Sequence, residues 1–88
     1  MSGRYRPKLD REKQKAVIHH IVMAWSQGDG KGIRRETLKY LLFLIDMEAY
    51  AQLGYSITGA TYRRRKTGVG VDGITRAIRE LRTEGRIR

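Results

Sequence analysis

The sequence predicts a mainly α domain with small β-elements, in which three helices share one core. Three observations predict it. The 88 residues leave room for one modest core. Apolar residues recur at three- and four-residue spacing in three separate stretches, and a Thr- and Tyr-containing run bounded by glycines lies between the second and third of them. Hydrophobic residues make up 40% and charged residues 32%, a globular rather than a disordered balance.

Residues 1–9 read as a flexible basic arm carrying Arg4, Arg6 and Lys8, with Pro7 opposing regular structure. The domain proper is expected over residues 10–88. Asp10 is placed to cap a first helix to about residue 27, because Ile18, Ile21, Val22 and Trp25 fall on one face and "SQGDGKG" ends it. A second helix is expected over about residues 34–53. Leu38, Leu41, Leu42, Ile45, Ala49 and Leu53 form its stripe, which Phe43, Leu44 and Met47 widen, so it reads as the central helix, covered from several sides and stopped by Gly54. Tyr62, beside β-branched Thr61, then starts a short strand over about residues 61–66. Asp72 opens a third helix over about residues 72–84, with Ile74, Ala77, Ile78 and Leu81 on one face, and Gly85 stops it before "RIR", a candidate second short strand. The predicted core is Ile21, Trp25, Leu38, Leu41, Leu42, Ile45, Ile74, Ile78 and Leu81.

The net charge is +10, from 19 Lys and Arg against nine Asp and Glu. Residues 63–88 hold nine cations and three anions, so +6 of the +10 sits in the last 26 residues. A field of this sign concentrates polyanions, nucleic acid first. The absence of cysteine excludes disulfides and thiolate chemistry and suits a reducing compartment. The longest apolar run, residues 40–45, is far short of the roughly 20 residues that span a bilayer, and the N-terminus lacks the apolar core of a signal peptide. Neither export nor membrane insertion is expected.

The order helix, helix, strand, helix, strand is the general plan of winged helix-turn-helix domains, so the expected fold is trihelical and winged-helix-like. The tail "GVDGITRAIRELRTEGRI" resembles the end of many bacterial winged-helix regulators, in which such a helix reads the major groove. A longer stretch, "KYLLFLIDMEAYAQLGYSITGATY", resembles the centre of the Panacea domain, a prokaryotic and phage-associated family that includes toxin-neutralising antitoxins. The matching features are Leu41, Leu42, Phe43, Asp46, Glu48, Tyr50, Gly54, Ile57, Thr58, Gly59 and Tyr62. This chain has Thr67-Gly68-Val69-Gly70 where the family has Tyr-Gly-Pro-Val, yet keeps Leu81, Gly85 and Ile87; the resemblance covers about residues 38–87. It implies a fixed corner built from Asp46, Ile57, Thr58, Gly59 and Tyr62, a possible protein partner such as a toxin or host factor, and the cytoplasm of a prokaryotic or phage-infected cell. Asp46 is expected to bond a backbone amide or an arginine near that corner, and Glu48 to be solvated or ion-paired.

Enzyme signatures fail in turn. His19 and His20 are adjacent on a helix and diverge by about 100°, which disfavours joint metal ligation. "GDGKG" follows a helix and lacks the Walker spacing, and "GVGVDG" follows no long buried strand and would aim Asp72 at a pyrophosphate. Asp46 and Glu48, two apart, point to different faces. No catalytic residue, metal or cofactor is expected. The expected function is a non-enzymatic regulatory module that binds duplex DNA. Arg63, Arg64, Arg65 and Lys66 would act from the strand, Thr75, Arg76, Arg79 and Arg82 from the last helix, and Arg86 just beyond it, with the N-terminal arm on phosphates. Antitoxin-like protein binding is the alternative. RNA binding would call on Tyr5, Tyr55 and Tyr62 for base stacking.

Overall fold

The computed structural model describes residues 8–29, 32–66 and 68–87. Its elements run α1 (Arg11–Asp29), α2 (Arg35–Leu53), β1 (Tyr62–Arg65), β2 (Gly68–Val71) and α3 (Ile74–Thr83). The two strands form an antiparallel hairpin, with Tyr62 opposite Val71 and Arg65 opposite Gly68. Arg4, Arg6 and Tyr5 lie outside the described residues, and Lys8 is exposed.

Local chemistry sets the helix ends. Asp10 Oδ1 accepts the Lys13 N–H at 3.1 Å, satisfying one of the donors that a helix leaves open in its first turn. Gly54, at φ 83°, closes α2 by donating its N–H to the Tyr50 carbonyl. The third helix starts two residues later than expected because Gly73, at φ 78°, takes the cap position. Asp72 is exposed, and its backbone does the bonding: its N–H goes to the Thr61 carbonyl, and its carbonyl accepts the Gln14 side chain.

The core gathers Ile18, Ile21, Leu38, Leu42, Ala60, Val71, Ile74, Ala77 and Leu81, all buried, with Leu41, Ile45 and Ile78 packed partly against it. Each large aliphatic side chain so buried contributes about 1.5–3 kcal/mol. The buried stripe of α1 continues below Ile18 through Gln14. The amide of Gln14 is satisfied by Asp72 at 2.8 Å, so its burial costs little. Lys15 beside it is buried against Glu84 (2.6 Å) and Glu80 (3.4 Å), and these ion pairs tie α1 to α3.

Three expectations need correction. Trp25 is 42% exposed rather than in the core. At 19 residues α1 is about 28 Å long and the ten-residue α3 about 15 Å, so the end of α1 runs past the helix that covers its start. The second helix is not covered on several sides: Tyr40, Leu44, Met47 and Leu53 are exposed. The partner of β1 is the Gly-Val-Gly-Val run, not the C-terminal "RIR". Gly85, at φ 74°, donates to the Arg82 carbonyl and Arg86 to the Leu81 carbonyl, a Schellman closure that turns the chain away so that Ile87 packs partly against the core.

Candidate nucleic-acid interface

The corner after α2 holds the hairpin in place. Asp46, buried on α2, accepts four hydrogen bonds: the N–H groups of Ile57 and Thr58 at 3.0 Å each on Oδ1, and the hydroxyls of Thr58 and Tyr62 at 2.5 Å each on Oδ2. A buried carboxylate surrounded by donors in this way has replaced its hydration shell. The Tyr62 hydroxyl also lies 3.1 Å from the Leu42 carbonyl oxygen, and its ring meets Phe43 edge-on at 5.4 Å. Burial, then the Asp46 carboxylate, push the Tyr62 pKa well above the usual phenol value. Gly59 has φ 72°, and a Cβ there would lie 2.0 Å from the Lys8 carbonyl oxygen, so the segment before α1 lies directly on the corner. The Asp10 N–H, bonded to the Thr58 carbonyl at 2.8 Å, fastens the same contact. Glu48 is exposed and accepts from Gln52.

Strand alternation sorts the basic residues of the hairpin. Tyr62 and Arg64 share a face with Val71 and Val69, and Arg63 and Arg65 share the opposite face with Gly70 and Gly68. The cations on that outer face therefore look across bare backbone. A Cβ on Gly70 would come within 2.5 Å of Arg65 Nε, so the Arg65 side chain lies over this glycine. Arg63, Arg64, Arg65 and Lys66 are all exposed.

Two residues beyond β2, α3 turns Ile74, Ala77 and Leu81 inward, leaving Thr75, Arg79 and Arg82 on an outward stripe at four- and three-residue spacing. Arg76 is exposed but belongs elsewhere: its Nε lies 3.2 Å from Glu80, which also bonds Arg11 and pairs with Lys15. Burial would raise the Glu80 pKa, but the charge of Arg11, with the bonds from Arg76, Lys15 and Arg11, outweighs it and lowers the pKa. The hydrogen bond to Glu84 raises the Lys15 pKa against the opposing effect of burial. Arg86 pairs with Glu84 past the far end of α3 and is not brought to the hairpin.

One contributor escaped the sequence reading. Arg35 Nη2 donates to Thr75 Oγ1 at 2.5 Å, and a Cβ on Gly68 would lie 2.6 Å from Glu36 Oε2. The first turn of α2 thus stands between the start of β2 and the first turn of α3, adding exposed Arg34 and Arg35 to the basic end. Only the Arg-Arg pair itself could have signalled this.

Among the described residues, no three His, Cys, Asp or Glu side chains converge as metal ligands, and no helix is long and apolar enough to cross a membrane. No protein-family model, no curated protein and no solved structure matches this chain.

Proposed function

We propose that this chain is a non-enzymatic, winged-helix-like module that binds duplex DNA. The outward stripe of α3, Thr75, Arg79 and Arg82, faces a groove, while Arg63, Arg65 and Lys66 on the hairpin contact flanking phosphates. The observation that carries this reading is that β2, paired along its length with the cationic β1, runs through a two-residue turn into α3, whose first turn is braced by Arg35 on Thr75. Rows held at a fixed spacing lose little freedom on meeting a regular array of phosphates. Single-stranded RNA is the weaker fit: of the three tyrosines that would stack on bases, Tyr62 is committed to Asp46 and Phe43, Tyr5 lies outside the described residues, and Tyr55 alone is exposed.

The test is fluorescence anisotropy with a random duplex and with a single strand of equal length, over a salt series. Four to six phosphate contacts give a slope of log affinity against log salt of roughly −4 to −5. No binding to any duplex at low salt overturns the proposal, and tighter binding to the single strand overturns its duplex form.

A further inference from the structure

The side of α2 turned away from the core carries Tyr40, Leu44, Met47 and Ala51, spaced four, three and four residues apart. That is the interval of a coiled-coil seam, whereas the stripe facing the core is the broader one of a globular helix. The seam is open: Tyr40 is 54% exposed, Leu44 42% and Met47 52%, and Ala51 is exposed as well. Phe43, on its flank, is engaged by Tyr62.

We propose that this seam is a homodimer interface, with α2 packed antiparallel against α2 of a second copy. Charge selects the occupant. The chain carries +10, so two copies repel wherever their cations meet. Beside the seam stand Glu36 and Glu48, with Lys39 paired to Glu36 at 2.7 Å, while Arg35 is turned toward Thr75 of α3, so this is a face without an excess of cations. An acidic protein or a nucleic acid would find better complements on the hairpin and α3.

Shape selects the direction. The midpoint between Leu44 and Met47 is also the midpoint between Tyr40 and Ala51, so a two-fold axis there sets Leu44 against Met47 and Tyr40 over the small Ala51 of the second copy. A parallel pairing would set Tyr40 on Tyr40 and leave a gap between the two alanines. Antiparallel packing also opposes the helix dipoles. With about half of three large side chains available from each copy, the pair buries on the order of 700 Å² in total, below the usual size of a stable specific interface, so the dimer is a weak and reversible one.

The experiment is sedimentation equilibrium of the full chain without nucleic acid, so its outcome is independent of DNA binding. The weight-average mass should rise from the 10.2 kDa of one chain toward twice that with concentration, and rise further with added salt as the like charges are screened. The Leu44→Glu, Met47→Glu double variant should stay monomeric throughout, with the circular dichroism and melting temperature of the parent. Because the chain has no cysteine, direction can be read by oxidising an equal mixture of Leu44→Cys and Met47→Cys chains. Mixed disulfide dimers should predominate. A parent that stays monomeric at the highest concentration, a double variant that dimerises as the parent does, or a predominance of like-with-like disulfides would each overturn the proposal.

Discussion

The Tyr62 hydroxyl donates to Asp46 Oδ2 at 2.5 Å, across 16 residues of sequence, and this bond joins β1 to α2. The same carboxylate takes two amides and the Thr58 hydroxyl, so its removal leaves four donors without their acceptor. Asp46→Ala should therefore destabilise by about 3 kcal/mol or more, since bonds to a charged group are among the stronger ones and orphaned buried donors are costly. Asp46→Asn, which keeps one acceptor oxygen, should fall between Ala and wild type. Urea midpoints of the three proteins check the order; an Asp46→Ala midpoint equal to wild type would show that the corner stands without its carboxylate.

Tyr62 gives the fold a limit on the alkaline side. Burial and the Asp46 carboxylate raise its pKa in the folded state above the usual value of 10. Above pH 10 the unfolded chain loses this proton while the folded chain keeps it, so the unfolded state binds fewer protons and stability falls as pH rises. The contribution is complete below pH 10 and declines above it. Tyr62→Phe removes the titration, and its stability curve should be flatter than that of the parent above pH 10, although it starts lower for want of the hydroxyl bonds. Parallel curves would mean that the phenol is not held neutral by this site.

Gly59 and Gly54 both have positive φ, yet they should respond differently to a side chain. At Gly59 a Cβ would meet the Lys8 carbonyl oxygen at 2.0 Å and its carbon at 2.7 Å, whereas at Gly54 it would point into open space. Gly59→Val should cost more than about 2 kcal/mol, from backbone strain together with displacement of the segment before α1. Gly54→Asn should cost under about 1 kcal/mol, because asparagine tolerates the left-handed region. Thermal melts of the two variants separate conformational strain from steric exclusion, and similar melting temperatures would refute the close approach at Lys8.

The helices were legible because 3.6-residue periodicity survives without knowledge of partners, and the observed α1 and α2 lie within two residues of the expected bounds. Partners themselves were not legible. Trp25 satisfies the periodicity of α1, but periodicity does not tell whether another element reaches that end of the helix. Tyr40, Leu44 and Met47 count as apolar wherever they sit, so a second stripe on α2 looked like a fuller core. Gln14 and Lys15 look like surface residues, although Gln14 continues the Ile18 and Ile21 stripe at the right spacing. The strand at Gly68–Val71 was hidden because glycine is a poor strand former; it makes sense only once its register with Arg63 and Arg65 is known. Of the basic residues, Arg76 stands four before Glu80, the spacing that pairs on a helix, so its separation from Arg79 was within reach of the sequence, whereas the pairing of the same Glu80 with Arg11 and Lys15 of α1 was not.

That separation yields the last prediction. If the hairpin supplies phosphate contacts, replacing Arg63 and Arg65 together with Ser should weaken binding to every duplex alike. Two lost contacts should flatten the log–log salt slope by about 1.8. The Ser variant should keep the melting temperature of the parent, because both side chains are exposed and their cross-strand partners are the glycines Gly70 and Gly68. Arg79→Ala acts at a different level. On the outward stripe of α3 it is placed to meet base edges, where a bidentate contact to guanine discriminates by about 1–3 kcal/mol, so its loss should narrow the spread of affinities across a randomised duplex library more than it changes the slope. Arg76→Ala is the control: the bond it gives up is to Glu80, so it should disturb the ion cluster between α1 and α3 and leave sequence preference intact. Selection from the library with the three variants, alongside a salt series for each, reads both quantities. A uniform loss from Arg79→Ala with unchanged preference would reassign α3 to the phosphate backbone, and an unchanged slope for the Arg63 and Arg65 variant would remove the hairpin from the interface.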